Sequence, residues 1–291
     1  MATPQPTSKD MAMRHTTQVI TPTSPIPSTD PVTERVRATW TAGDFGRIAT
    51  GYAPGAAEFI ARLRLGQGER VLDVACGTGN LTLPAARAGA LATGIDIAPN
   101  LIAQAIANAA AEELAARFEV GDAEELPYPD GSFDTVVSMF GAMFAARPAR
   151  AADELLRVTS RGGRIAMANW TPRGFIGKML QIVVGYVPPP AGAVPVLQWG
   201  DEAIVQERFA SAMRIDCVRR RITFEYPCTP AETVGLFRRW YGPTVRAFAA
   251  LDEERRALLE HDLVAHWTDH NCAGCGMTRV ESEYLEVIAV R

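Results

Sequence analysis

The sequence predicts an α/β protein: a parallel sheet with helices packed on it. Three observations carry that expectation. Short apolar segments at residues 71–74, 91–97, 118–123, 132–140 and 162–170 alternate with stretches of helical period or Ala-rich composition. The first segment runs into a glycine pair, Gly77 and Gly79, and an amphipathic pattern opens at Leu81, so strand, tight turn and helix follow directly. Asp73, Asp96 and Asp122 stand at or near the carboxyl ends of their segments, the side on which open α/β sheets bind ligands.

Composition bounds the rest. A chain of 291 residues, 47% hydrophobic, is long enough for one large domain, or a domain with a cap, around a sizeable core. A net charge of -4 and a pI near 5.7 leave no electrostatic footprint for a nucleic-acid backbone. The short basic runs Arg219-Arg220-Arg221 and Arg238-Arg239 read as solvated faces. No apolar run reaches the length of a membrane span. Five cysteines, an odd number in a long chain, point to a reducing compartment rather than a disulfide framework. Residues 1–30 are rich in Thr, Ser and Pro and are expected to form a disordered tail. They lack the apolar core of a secretory signal and the Arg-rich amphipathic pattern of a transit peptide, so the expected location is cytoplasmic.

In chain order, the single domain spans 31–291. A first helix is expected over 32–40 and another over 56–65, ending at the turn Gly66-Gln67-Gly68 before the first strand. Residues 100–117, rich in Ala with Glu and Leu, predict a helix that starts behind Pro99. The two prolines and the Asp130-Gly131 pair make 124–131 a loop. A helix over 149–158 leads to the fifth strand behind Gly162-Gly163. The insertion 171–213 holds an apolar helix over 175–187, the Pro188-Pro189-Pro190 turn and a short helix over 201–213. A sixth strand over 214–226, helices over 233–240 and 253–270, and a last strand over 282–290 complete the chain. The insertion and the helices within 229–280 are expected to cap the strand ends.

The glycine turn suits a ligand laid against backbone, since neither Gly77 nor Gly79 has a Cβ and the following helix aims free amides at it. No Lys-Ser or Lys-Thr follows, which excludes a P-loop. Thr82 stands where the third glycine of a dinucleotide fingerprint would fall. At about 4 Å two unit charges interact by about 4 kcal/mol at an intermediate dielectric, so Asp73 would repel a pyrophosphate and suit an ammonium group. Asp96, about 20 residues past the glycines, stands where a ribose-binding carboxylate belongs. A ligand with both a nucleoside and a cation is S-adenosyl-L-methionine (SAM).

With these residues in place, the sequence resembles the class I SAM-dependent methyltransferases, most closely the ubiquinone/menaquinone-biosynthesis branch. The motifs are specific over residues 39–170 and looser to the end of the chain. The resemblance implies a Rossmann-like mixed seven-stranded sheet in the order 3-2-1-4-5-7-6 with the last strand antiparallel. It implies SAM as cofactor, with Asp122 meeting the adenine amino group, Ala123 giving a backbone contact, and Ile97 and Ser138 completing the set. It also implies that residues 40–49 close over the cofactor. Where the family often has a tyrosine, this chain has Phe45, which has no hydroxyl for the methionine end. A simply packed N-terminal helix fits these residues equally.

Methyl transfer is an in-line displacement at a sulfonium, a good leaving group, so positioning can supply much of the acceleration and no triad is required. Candidate acceptor residues are Phe140, Met143, Phe144, Trp170, Phe175, Met179, Trp199, Phe237, Trp240 and Tyr241. Each also fits a core role; as a group they suggest a small, apolar or aromatic acceptor. Asp44, His266 and His270 are the conceivable bases, and no catalytic residue is assigned among them. His266, His270, Cys272 and Cys275 have the composition of a zinc set, but a solvated helix end before a glycine turn explains them more simply, so no metal is expected. The expected partner is the small-molecule acceptor, with homo-oligomer formation left open. Two rivals remain: a SAM-binding subunit without turnover, and an NAD-dependent oxidoreductase, against which Asp73 and Thr82 speak.

Overall fold

The computed structural model describes residues 30–291. The expected disordered tail lies outside them except for Asp30, whose side chain accepts from the Val32 amide and caps the first helix. Helices α1 (Pro31–Thr41) and α2 (Phe45–Ala49), a 3-10 turn (Thr50–Tyr52) and α3 (Ala53–Leu63) lead to β1 (Arg70–Val74). There follow α4 (Thr82–Arg87), β2 (Leu91–Asp96), α5 (Pro99–Ala111), β3 (Ala116–Val120) and β4 (Phe133–Met139). A 3-10 turn (Ala142–Phe144), α6 (Pro148–Val158), β5 (Thr159–Trp170) and α7 (Phe175–Tyr186) come next. The chain closes with a 3-10 turn (Val196–Gly200), α8 (Glu202–Arg208), β6 (Arg214–Tyr226), α9 (Pro230–Trp240), α10 (Gly242–Ala250), α11 (Glu253–His270) and β7 (Thr278–Val290).

The seven strands lie in the order β3-β2-β1-β4-β5-β7-β6. The first five pair in parallel and β7 runs antiparallel to both β5 and β6, the arrangement the resemblance implied. Parallel strands need both faces covered. Accordingly Val71, Leu72 and Val74 of β1, Val136 and Val137 of β4, and Ile165 and Met167 of β5 are fully buried. Each such side chain contributes about 1.5–3 kcal/mol relative to exposure. The long β6–β7 ribbon alternates instead, and its outward residues pair as Arg219–Glu283, Arg221–Glu281 and Arg279–Glu225, the solvated face expected of the basic run. α7 packs on α11 and β7.

Three expectations change. The Ala-rich helix ends at Ala111 rather than 117, because Glu113 adopts a left-handed φ of 54° and turns the chain so that β3 can pair with β2; sheet pairing overrides local propensity there. The helix α10 was not anticipated; Pro243 in its first turn opens it without loss of a hydrogen bond. β5 and β7 both begin earlier than expected, since Thr159 pairs with Phe133 of β4 and Thr278–Glu281 pair with Thr223–Tyr226 of β6.

Candidate active site

β1 ends one residue before a backbone that reverses sharply, with Ala75 at φ 57°, Gly77 at φ 55° and Gly79 at φ 92°. Asp96, at the end of the neighbouring β2, fixes this turn from beside it: Oδ2 accepts from the Gly77 amide at 2.8 Å and Oδ1 from the Ala98 amide at 2.9 Å. Burial pushes its carboxyl up to about 6, and the same amides pull it partly back. Asp96, Gly77, Ala75, Ile97, Ala123 and Asp122 together line a cleft. Asp122 is half-buried, accepts from the Glu124 amide and the Thr33 hydroxyl, and is also raised by burial. Thr33, Val36 and Trp40 share one face of α1 and close the cleft from above. Arg147 ties the start of that helix down by pairing with both Asp30 and Glu124.

Three residues expected in the cleft lie elsewhere. Asp73 sits behind the turn, fully buried, and accepts from the Thr82 amide at 2.9 Å and hydroxyl at 2.6 Å. Burial pushes its carboxyl up to about 7. It anchors the first turn of α4, and Thr82 stands at the third-glycine position because its hydroxyl answers Asp73. Gly79 faces away from the cleft: a Cβ there would meet Leu83 at 3.1 Å and Phe118 at 3.4 Å. The Ser138 hydroxyl donates to the Val74 carbonyl and accepts from the Ala142 amide, tying β4 to β1. A motif position does not reveal on which side of a turn a side chain falls.

Next to the cleft is a second, apolar chamber. Phe45 and Phe140 border both. Phe140 holds a left-handed φ of 56° just past β4 and stacks on Trp170 with ring centroids 3.4 Å apart. Trp170, Met179, Phe237 and Tyr241 of the expected acceptor set line the chamber. Ile48, Tyr52, Ile176 and Phe224 line it too and were missed; the four-residue spacing of Ile48 and Tyr52 was the available signal. Phe144 lines the cleft instead. Met143 and Trp199 are buried away from both spaces, Phe175 stacks on His266, and Trp240 lies under the Arg47 guanidinium.

Comparison with known proteins bears on this pair of spaces. Residues 72–167 match the family described as Methyltransferase domain. An uncharacterised protein of Mycobacterium tuberculosis is 39% identical over 254 residues, spanning 86% of this chain and 91% of that protein. The demethylmenaquinone methyltransferase of Deinococcus radiodurans is 33% identical over 186 residues, 60% of this chain and 74% of that enzyme. The chain belongs to the class I SAM-dependent methyltransferases. The fold is similar to that of the YcgJ protein from Bacillus subtilis, with a TM-score of 0.57 at 16% identity over 82% of this chain and 98% of that one.

The cleft of this methyltransferase fits the family's cofactor, SAM. The positive-φ backbone at Ala75 and Gly77 lets a ligand lie against the turn. Each oxygen of Asp96 takes one amide and keeps a further lone pair for a ribose hydroxyl. None of the conceivable bases lines either space. Asp44 borders a groove on the other side of the glycine turn and pairs with Arg47. His266 bonds the Phe175 carbonyl through Nε2, and His270 bonds the His266 carbonyl through Nδ1. Cys272 donates to the Arg279 carbonyl, and among the described residues no group of three or more His, Cys, Asp and Glu is placed to hold a metal.

The raised carboxyl of Asp96 sets a pH dependence. Its folded value lies above the ordinary one, so its contribution to the stability of the ligand-free methyltransferase is present below about pH 4 and is lost as pH rises through about 6. Ribose hydroxyls donate to the ionised form, so binding has the opposite slope. Titration with S-adenosylhomocysteine is expected to weaken toward tenfold per unit as pH falls from 6 to 5, and Asp96→Asn to flatten the profile. A flat wild-type profile would show that this carboxylate does not receive the ribose.

Proposed function

We propose that the chain methylates a small, apolar or aromatic molecule held in the chamber beyond Phe140. One observation carries this reading: the apolar chamber shares its Phe45 and Phe140 walls with the cofactor cleft, so an occupant would lie beside the reactive end of a ligand seated on the Gly77 turn. When bound, SAM supplies an electrophilic methyl group on a sulfonium. The protein's part is to hold and to exclude. In this reading Asp96 receives the ribose, Asp122 and the Ala123 backbone meet the base, and Gly77 and Ala75 bring the backbone close. The stacked Phe140–Trp170 pair, Ile176 and Met179 fix the acceptor in a dry space, where orientation alone supplies much of the rate. No side chain in the chamber is a strong base, so the acceptor has to arrive with a lone pair or an acidic position of its own.

In the same reading α7 and the helices α9 to α11 form the cap over the acceptor. Met179 is the test because it is almost fully buried and lines the chamber but not the cleft. Met179→Ala is expected to change acceptor preference or reduce turnover at least tenfold across a panel of small aromatic acceptors, with affinity for S-adenosylhomocysteine near wild type. A lower melting temperature with unchanged acceptor kinetics would make α7 a core helix and put the acceptor elsewhere.

A further inference from the structure

The chain has six tyrosines. Four engage their hydroxyls: Tyr226 donates to the Ile48 carbonyl at 2.8 Å, Tyr128 to Glu119, Tyr186 to Asp262, and Tyr284 meets Arg62 and Glu286. The remaining two, Tyr52 and Tyr241, make no hydrogen bond among the described residues, although they are only 2% and 4% exposed. Both line the apolar chamber. They arrive from distant parts of the sequence, Tyr52 closing the 3-10 turn before α3 and Tyr241 lying between α9 and α10. Both rings pack against Phe45, at 6.4 and 6.3 Å between centroids. Burial pushes both phenols well above their usual range, and each therefore stays a neutral O–H donor.

A tyrosine hydroxyl that no protein group engages is a donor left open to a ligand. Two of them on one otherwise apolar chamber point to a ligand oxygen. We infer that Tyr52 and Tyr241 form a two-hydroxyl clamp that donates to an oxygen on the acceptor, so that the chamber selects an oxygen-bearing ring over the bare hydrocarbon. This rests on the chamber being the acceptor site, as proposed above. Phe140 and Trp170 would meet the ring itself, and the clamp would fix which edge of it turns toward the cofactor cleft.

The pair p-cresol and toluene, which differ by one hydroxyl, tests this on the protein loaded with S-adenosylhomocysteine. Wild type is expected to bind p-cresol at least tenfold more tightly than toluene. Tyr52→Phe and Tyr241→Phe should each reduce that preference several-fold and the double variant abolish it, with toluene and S-adenosylhomocysteine affinities unchanged. A preference that survives in the double variant overturns the clamp. Loss of S-adenosylhomocysteine affinity would mean that the hydroxyls serve the cofactor instead. Toluene binding without preference for p-cresol overturns the clamp alone, whereas wild type that binds neither probe overturns the aromatic-acceptor reading and the clamp with it.

Discussion

Asp96→Ala is expected to weaken the binding of S-adenosylhomocysteine at least a hundredfold. In the assignment made here the carboxylate receives two ribose hydroxyls, and hydrogen bonds to a charged group contribute about 1.5–3 kcal/mol each. Even the lower figure for both gives about 3 kcal/mol, or roughly two decades at about 1.4 kcal/mol per decade. The substitution also strands the Gly77 and Ala98 amides, which Asp96 holds at 2.8 and 2.9 Å, and so loosens the turn itself. Asp96→Asn separates the two effects, because an amide oxygen can keep one of those bonds while the charge is gone; an intermediate loss is expected. Calorimetric titration decides it. Wild-type affinity in the Ala variant, with the melting transition intact, would remove Asp96 from the site.

Gly77→Val should abolish cofactor binding beyond detection. Gly77 lines the cleft at φ 55°, a backbone conformation that β-branched residues avoid, and a Cβ built there points to within 3.4 Å of the Phe45 ring. The added side chain would fill the space between turn and lid. Gly79→Val is the contrast. That residue is strained too, at φ 92°, but its Cβ would press on Leu83 of α4 and Phe118 of β3, in a core cluster rather than in the cleft. It is expected to lower the melting temperature by several degrees and to leave residual affinity in whatever fraction folds. The reverse ranking, with Gly79→Val losing the ligand and Gly77→Val retaining it, would put the ligand on the other side of the turn.

Much of the fold was legible in the residues. β1 with its glycine turn, β2, β4, α7, β6 and α11 lie within a residue of the bounds expected from their patterns. Boundaries failed where a tertiary partner decides. Nothing local stops the Ala-rich α5 at Ala111; the need to pair Ala116–Val120 with β2 does. The helix that opens at Gly242-Pro243 was left out of the expected order altogether. The site divides the same way. Gly77, Asp96, Ile97, Asp122 and Ala123 line the cleft as expected from strand order. Asp73, Gly79 and Ser138 do not line it: Asp73 and Ser138 bond to Thr82 and Val74, and a Cβ at Gly79 would meet Leu83 and Phe118. The lack of a partner for the Tyr52 and Tyr241 hydroxyls is a property of the packed chamber, invisible in a sequence.

The two spaces draw on the chain very differently. Gly77, Asp96, Asp122 and Phe140 all fall within residues 72–167, the part that matches the shared methyltransferase family. Of the chamber's other walls, Ile48 and Tyr52 precede that stretch, while Trp170, Met179, Phe224, Phe237 and Tyr241 follow it. The cleft thus draws mostly on the stretch that matches the family, whereas the chamber's walls lie mostly outside it. Substitutions in the outer segments can reshape the chamber without touching the glycine turn, and Phe140 is the one chamber residue that the family stretch supplies.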